Sequence, residues 1–348
     1  MQRSRLLKIG IIEGGGTGNI LIDVFKRYAL CWGNELNLDI AFTLGSRCYS
    51  TYYENRSIST AKLNLQFQKE EDDLYFDLLS MAKNGCSAVF RTALNAQVLY
   101  NVRSRIWAVK PLTYTLDSGS VLHLIRDQSQ GFYAAAIPPE YSADEVRITS
   151  SFSKQKLKAV ISYSENNILT TGEAPDLWLV YKHHLLFNTI EKWRSEISEK
   201  WKCLQPNSAT SNILTGNHAS TVIAIVGNEV GDILNEIASF YYDQEQRTES
   251  ISLDVLLAPE FDFLKVYQTL HGSADDLVGK NSVDPTATLK ALSQILSSHT
   301  ENNFFKKAFD AAVYSCRQKN TAHFTEDKAG ILSEKTLANY KELIESYG

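Results

Sequence analysis

Residues 8–12 form a short apolar run, closed by Glu13 and the glycines of GGGTGN, after which ILIDVFKRYALCW places apolar residues at helical spacing. This predicts a strand, a glycine turn and a helix. Residues 38–44 predict a second strand, and DDLYFDLLSMAK is the heart of an amphipathic helix over 69–83 that ends at Asn84 and Gly85. A buried strand follows at 86–90, a helix at 95–105, and residues 106–109 lead into Lys110 and Pro111. Residues 121–125 predict a further strand directly before Arg126. Strands alternating with helices in this way predict an α/β sheet with parallel strands.

The pattern changes beyond Ala134. AAAIPPEYSADEVRITSS reads as extended chain, and KQKLKAVISYSENNIL as a helix that begins after Ser153. Residues 177–181 predict a strand that delivers Lys182, 188–202 a helix carrying Trp193 and Trp201, and 221–226 a strand. Asn228, Gly231 and Asp232 then lead a helix into Tyr242. After the polar stretch YDQEQRTESIS come helices at 286–297 and 303–314, and FTEDKAGILSEKTLANYKELIESYG reads as a turn with a capped last helix. No internal repeat is apparent.

A chain of 348 residues exceeds what one compact core normally covers, so two domains, or one large sheet with an attached lobe, are expected. Hydrophobic residues at 44% and charged residues at 22% allow a substantial core. The net charge of -5, without a long basic run, gives no footprint for nucleic acid or an anionic membrane, which leaves small-molecule chemistry. Cys31, Cys48, Cys86, Cys203 and Cys316 are odd in number and lack two-residue spacing, so they read as reduced thiols in a cytosol. The basic and apolar start is too short in its apolar part for a signal peptide, and no window approaches a membrane span. The expected location is cytoplasmic.

Candidate chemistry gathers in HGSADDLVGKNSVDP, residues 271–285, which runs straight into the apolar-periodic TATLKALSQIL. Asp275 and Asp276 suit a ribose gripped through its hydroxyls, because an ionised carboxylate accepts two hydrogen bonds at once. The same composition also describes a solvated turn. The glycine turn after Glu13 has no Lys-Ser or Lys-Thr pair and no dinucleotide spacing, so its glycines read as permitting close backbone approach. Asp232 and Glu236, four apart on one helical face, offer either oxygens for a hard cation or a solvated face. His183 and His184 point to opposite faces of a strand and read as structural.

Several of these stretches together resemble the β-decarboxylating dehydrogenases, the isocitrate and isopropylmalate dehydrogenase family. HGSADDLVGKNSVDP is similar to the family's His-Gly-Ser/Thr-Ala-Pro-Asp loop with its Gly-Lys and Asn-Pro, and GNEVGDILNEIAS to its Asn-x-x-Gly-Asp-Ile-Leu-Ser-Asp segment. LIRDQSQGFY resembles its Arg-Glu-x-x-x-Gly-x-Tyr, and YKHHLLFNTIEKW its lysine at a strand end. KIGIIEGGGTGN and FTEDKAG fall where the family has its first strand and its final turn, so the resemblance runs along nearly the whole chain. It implies an α/β, isopropylmalate dehydrogenase-like two-lobed fold, with a large mixed sheet flanked by helices and no Rossmann unit. Residues 1–98 and 256–348 would form a large cofactor-binding lobe, and 99–255 a small lobe with a dimerisation arm and the substrate and metal residues.

The reaction implied is oxidation of a 2-hydroxy acid at C2 and then loss of its 3-carboxylate, with NAD and Mg2+ or Mn2+. Lys182 would be the base, Tyr133 the acid, and Arg126 a clamp for a substrate carboxylate. His271, Gly272, Ser273, Ala274, Asp276 and Asp284 would hold the cofactor, with Asp276 on the adenosine ribose and Asp275 adding a second negative charge against NADP. Asp232 and Glu236 would bind the metal, while Ser208 stands where the family has the partner subunit's acid. Tyr100 and Lys110 occupy the positions of two substrate arginines, for which Arg103 or Arg105 could compensate, and the loop after Arg91 is shorter than the family's. The implied assembly is a homodimer, or a hetero-oligomer with a paralogue, that shares active sites. Two functions are therefore expected: a NAD-dependent, metal-assisted dehydrogenase for a non-standard 2-hydroxy acid, or a catalytically silent relative acting as a nucleotide-binding regulatory or structural subunit.

Overall fold

A computed structural model describes residues 5–51, 60–115, 119–133, 140–142, 144–169, 174–186, 188–242, 251–269, 272–317 and 325–347. Its strands are β1 (Arg5–Gly14), β2 (Leu38–Tyr49), β3 (Ala88–Arg91), β4 (Ala108–Thr115), β5 (Val121–Asp127) and β6 (Glu140–Tyr141). They continue as β7 (Val146–Arg147), β8 (Asp176–Val180), β9 (Lys202–Leu204), β10 (Thr221–Gly227), β11 (Ile251–Leu256) and β12 (Lys265–Thr269). The helices are α1 (Gly18–Glu35), α2 (Thr60–Lys83), α3 (Ala96–Arg105), α4 (Lys154–Asn167) and α5 (Thr189–Ile197). They end with α6 (Pro206–Thr215), α7 (Asn228–Tyr242), α8 (Thr286–Thr300), α9 (Phe304–Arg317) and α10 (Thr325–Tyr347).

Ten strands form a mixed sheet, and the chain divides into two compact units. The first unit holds residues 1–99, 249–253 and 264–348. In it β2, β1, β3 and β12 pair side by side, all parallel. Its core lies where α1, α8 and α9 cover these strands. Phe25 stacks on Phe90 with ring centroids 4.2 Å apart, and fully buried Trp32 donates its indole N–H to Ser333 at 2.8 Å.

The second unit holds residues 100–248 and 254–263. Here β5, β10, β8 and β9 are parallel, whereas β4 runs antiparallel to both β5 and the end of β11. The all-parallel expectation fails at β4 because five residues separate it from β5, too few for a crossover between parallel neighbours. Its core joins Trp178, Leu122, Val222 and Ala224 to Leu234 and Ala238 of α7.

Several elements depart from the pattern read in the sequence. β9, β11, β12 and α6 had no predicted counterpart, and the helix expected over 188–202 stops at Ile197. The turn expected within FTEDKAG is absent among the described residues: α10 runs unbroken through Gly330, where an added Cβ would meet the Tyr28 hydroxyl only at ordinary contact distance. In the stretch expected to be extended, β6 and β7 form a two-stranded antiparallel ladder, and 134–139 lie outside the described residues. All five cysteines are free. Among the described residues no helix is long and apolar enough to cross a membrane.

Candidate functional site

In the second unit, β5 and β10 run parallel with Arg126 beside Val226, and α7 begins directly after β10. That connection carries Asn228 and Asp232 to Arg126. The buried guanidinium donates Nη2 to Asn228 Oδ1 at 2.8 Å and forms an ion pair with Asp232. Gly231 makes the approach possible, since a Cβ there would lie 2.7 Å from Arg126 Cγ. Lys110, also buried, is the cross-strand partner of Arg126 in the β4–β5 ladder.

Tyr133 follows a turn that Asp127 holds, with Gly131 at φ +95°. Its phenol donates to Asp232, and burial, the Asp232 carboxylate and Tyr100 together raise its pKa above the ordinary tyrosine value. The shift makes the phenol a weaker acid than an ordinary tyrosine, a neutral hydrogen-bond donor. The Tyr133 ring stacks on Tyr100, with centroids 5.4 Å apart and planes 20° from parallel. Arg103 lies over the Tyr100 ring at 5.8 Å and pairs with Asp254 at 3.3 Å. Arg126, Asp232, Tyr133 and Tyr100 thus form one connected group, with Lys110 beside it on the sheet. Lys182 and Glu236 are exposed, the first just beyond β8 and the second one turn further along α7. His183 is buried with Nε2 3.0 Å from the Leu179 carbonyl, while His184 is exposed, and both lie in a turn rather than the strand expected.

The first unit carries the loop after β12. His271 lies outside the described residues. The Ser273 carbonyl accepts the backbone N–H of Thr17 at 3.1 Å and its hydroxyl at 2.9 Å, which pins the loop to the glycine turn. Contact is close enough that a Cβ at Gly16, already at φ +65°, would meet that carbonyl at 2.7 Å. Ala274 takes a left-handed conformation at φ +47° before the one-turn helix Asp275–Leu277. Asp275 accepts from the Ser273 hydroxyl and, at 3.4 Å, from Thr51, so it serves the loop itself. Asp276 and Gly272 are exposed. Asp284, expected among the cofactor residues, accepts the backbone N–H and hydroxyl of Thr286 at the start of α8, and pairs with Lys328 of α10. Burial pushes its pKa up, but Lys328 and Thr286 outweigh this and hold the carboxyl below its ordinary value.

The two implied groups fare differently against these residues. A dinucleotide fits the first unit: a pinned loop presents an outward carboxylate at Asp276, and the space around Gly272 is open. A divalent cation does not fit the donors of the second. Asp232 is committed to a guanidinium, Glu236 and Ser208 are exposed, and among the described residues no three metal-ligating side chains gather.

Sequence reasoning missed Asp127 and Lys156, and named Arg103 only beside Arg105 as a charge that could compensate for the arginine absent at position 100. Asp127 was visible as the residue after Arg126 in LIRDQSQGFY. Nothing local marked Asp254, the partner of Arg103, which is 151 residues away.

The ten-stranded mixed sheet and its helices define an isocitrate dehydrogenase-like fold. The chain superposes on the crystal structure of isocitrate dehydrogenase from Methylococcus capsulatus with a TM-score of 0.60 at 15% identity, over 95% of this chain and 99% of that one. No protein-family model matches the chain. It is 27% identical to 3-isopropylmalate dehydrogenase of Acinetobacter baylyi over 37% of its own length and 36% of that enzyme's. It is 23% identical to the Staphylococcus epidermidis 3-isopropylmalate dehydrogenase over 69% of this chain and 67% of that one. These low-identity relatives and the shared fold support a divergent member of the isocitrate and isopropylmalate dehydrogenase family.

Proposed function

We propose that the protein is a NAD-dependent oxidoreductase that oxidises a non-standard 2-hydroxy acid, acting as a cytoplasmic homodimer or with a paralogue. The observation that carries this reading is the contact set of Arg126, Asp232 and Tyr133: a fixed guanidinium beside a phenol kept protonated. NAD, when bound by Gly272, Ser273, Ala274 and Asp276, supplies the hydride acceptor. Arg126 holds the substrate carboxylate, and Asn228 and Asp232 fix the plane of its guanidinium beforehand. Lys182, exposed beyond β8, takes the proton of the C2 hydroxyl. Tyr133 donates a hydrogen bond to the substrate oxygens. The donor set of this chain supports no step through a metal ion.

The alternative, a silent nucleotide-binding relative, is favoured by one observation: Arg126 already spends its Nη2 on Asn228 and Asp232. Purified protein assayed for NADH formation over a panel of 2-hydroxy acids, with and without Mg2+ or Mn2+, separates the two. Turnover abolished by Lys182→Ala supports the dehydrogenase. NAD binding by calorimetry without turnover on any acid would sink it in favour of the silent relative.

A further inference from the structure

Lys182 is exposed between two buried neighbours, Tyr181 and His183. The His183 backbone N–H donates to the Tyr181 carbonyl at 2.9 Å, which closes a three-residue turn with Lys182 at its apex. Both sides of the apex are anchored by side chains. Before it, the Tyr181 phenol donates to the buried Asp127 carboxylate at 3.0 Å, and its ring meets Phe152 edge-on with centroids 6.2 Å apart. After it, the His183 ring folds back on β8, with Nε2 3.0 Å from the Leu179 carbonyl. A carbonyl only accepts, so Nε2 carries the hydrogen. His183 Nδ1 is buried without a hydrogen-bond partner, so that one bond orients the ring. Beyond the apex, the Lys182 and His183 carbonyls accept the backbone N–H groups of Leu185, Leu186 and Asn188 at 3.0–3.3 Å. Packing alone would be served by apolar side chains at 181 and 183, without the cost of burying polar ends. Here both polar ends are spent on fixing the chain around residue 182.

We infer that Tyr181 and His183 are positioning residues for Lys182: by anchoring the turn on both sides they fix the point from which its amine reaches the substrate hydroxyl. The inference rests on the function proposed above, in which Lys182 takes that proton. Neither positioning residue touches substrate. A lysine side chain is long and flexible, so its amine has a defined reach only when its backbone is held. Misplacing a reacting group by about 1 Å can cost roughly a hundredfold in rate.

The test combines kinetics with amide exchange on four forms of the full chain: wild type, His183→Phe, which keeps a ring without the donor, His183→Gln, which restores an N–H donor, and Tyr181→Phe, which loses only the phenol oxygen. NADH formation is followed on whichever 2-hydroxy acid of the panel wild type turns over fastest. The two phenylalanine variants are expected to lower kcat about ten- to hundredfold with KM within about twofold, and His183→Gln to recover most of the loss. Hydrogen–deuterium exchange of the peptide spanning residues 181–189, read by mass spectrometry, is expected to run roughly fivefold faster in the phenylalanine variants, the ratio that one net hydrogen bond supports. Melting temperatures identify any variant that does not fold, and either phenylalanine variant suffices alone. Unchanged kcat in the folded variants, a rise in KM with kcat intact, or exchange unaltered by both substitutions would overturn the inference. No NADH formation by wild type on any acid would instead remove the dehydrogenase reading, and the anchoring of Lys182 is then decided by the exchange rates.

Discussion

Replacing Asp127 by alanine is the most searching perturbation of the second unit. The carboxylate is fully buried and accepts four hydrogen bonds: Ser129 N–H at 3.0 Å, the Ser129 hydroxyl at 2.6 Å, the Gln130 amide at 2.6 Å and the Tyr181 phenol at 3.0 Å. Gln130 in turn accepts the Ser153 N–H at 2.7 Å at the head of α4, and Lys156 of that helix donates to the Ser129 carbonyl at 2.8 Å. One side chain thus ties β5, the turn that leads to Tyr133, the residue before Lys182 and α4. Hydrogen bonds to a charged acceptor contribute about 1.5–3 kcal/mol each, but bonds within one network do not add. Leaving one side of a buried ionic cluster unpartnered costs about 3–5 kcal/mol, and that is the loss expected.

Burial lowers the pKa of Lys156 while Asp127 opposes that shift, so removing Asp127 leaves an ammonium poorly balanced. Lys156→Met in the Asp127→Ala background should therefore recover about 1–2 kcal/mol. Urea unfolding followed by tryptophan fluorescence reports on the right unit, because Trp107, Trp178, Trp193 and Trp201 all lie in it. At unchanged m-value the midpoint gives the loss directly. A folded Asp127→Ala protein less than about 1 kcal/mol below wild type would refute the network as drawn.

The remaining predictions concern the first unit. Asp284 has a lowered folded pKa, so its contribution is present above the unfolded carboxylate range and fades as pH falls through the folded value. Asp284→Ala should cost about 1 kcal/mol at neutral pH, as for a lost helix cap, and melting curves of variant and wild type should converge in acid. Gly14→Ala places a Cβ 1.8 Å from the Ala93 carbonyl oxygen, and thermal melts should show a loss of about 3 kcal/mol or more, if the protein folds at all. Gly272→Ala, with nothing within 4 Å, is the stability control expected to leave the melt within about 0.5 kcal/mol. Equal melts for the two glycine variants would contradict the close packing of the glycine turn.

What the chain discloses by itself follows from how local each determinant is. α1, β5, β8, β10 and α8 were legible because each carries its own apolar period, and the stops are local too: Gly85 ends α2 at φ +71° and Ser153 caps α4. β9 is three residues long, and β12 is the five-residue KVYQT, too short for a period to rise above its surroundings. α6 did carry signals, Pro206 at its start and Gly216 at φ +68° after its end, but few apolar residues between them. In the site, motif spacing singled out Arg126, Tyr133 and Asp232, yet it could not show that the clamp and an expected metal ligand meet each other. That depends on β10 lying beside β5 and on Gly231 leaving room for the guanidinium. Tyr100 makes the same point more sharply. Read along the chain, Arg103 or Arg105 could replace the positive charge absent at position 100. In the folded unit the Arg103 guanidinium lies over the Tyr100 ring and pairs with Asp254, a partner 151 positions away that no local pattern could show.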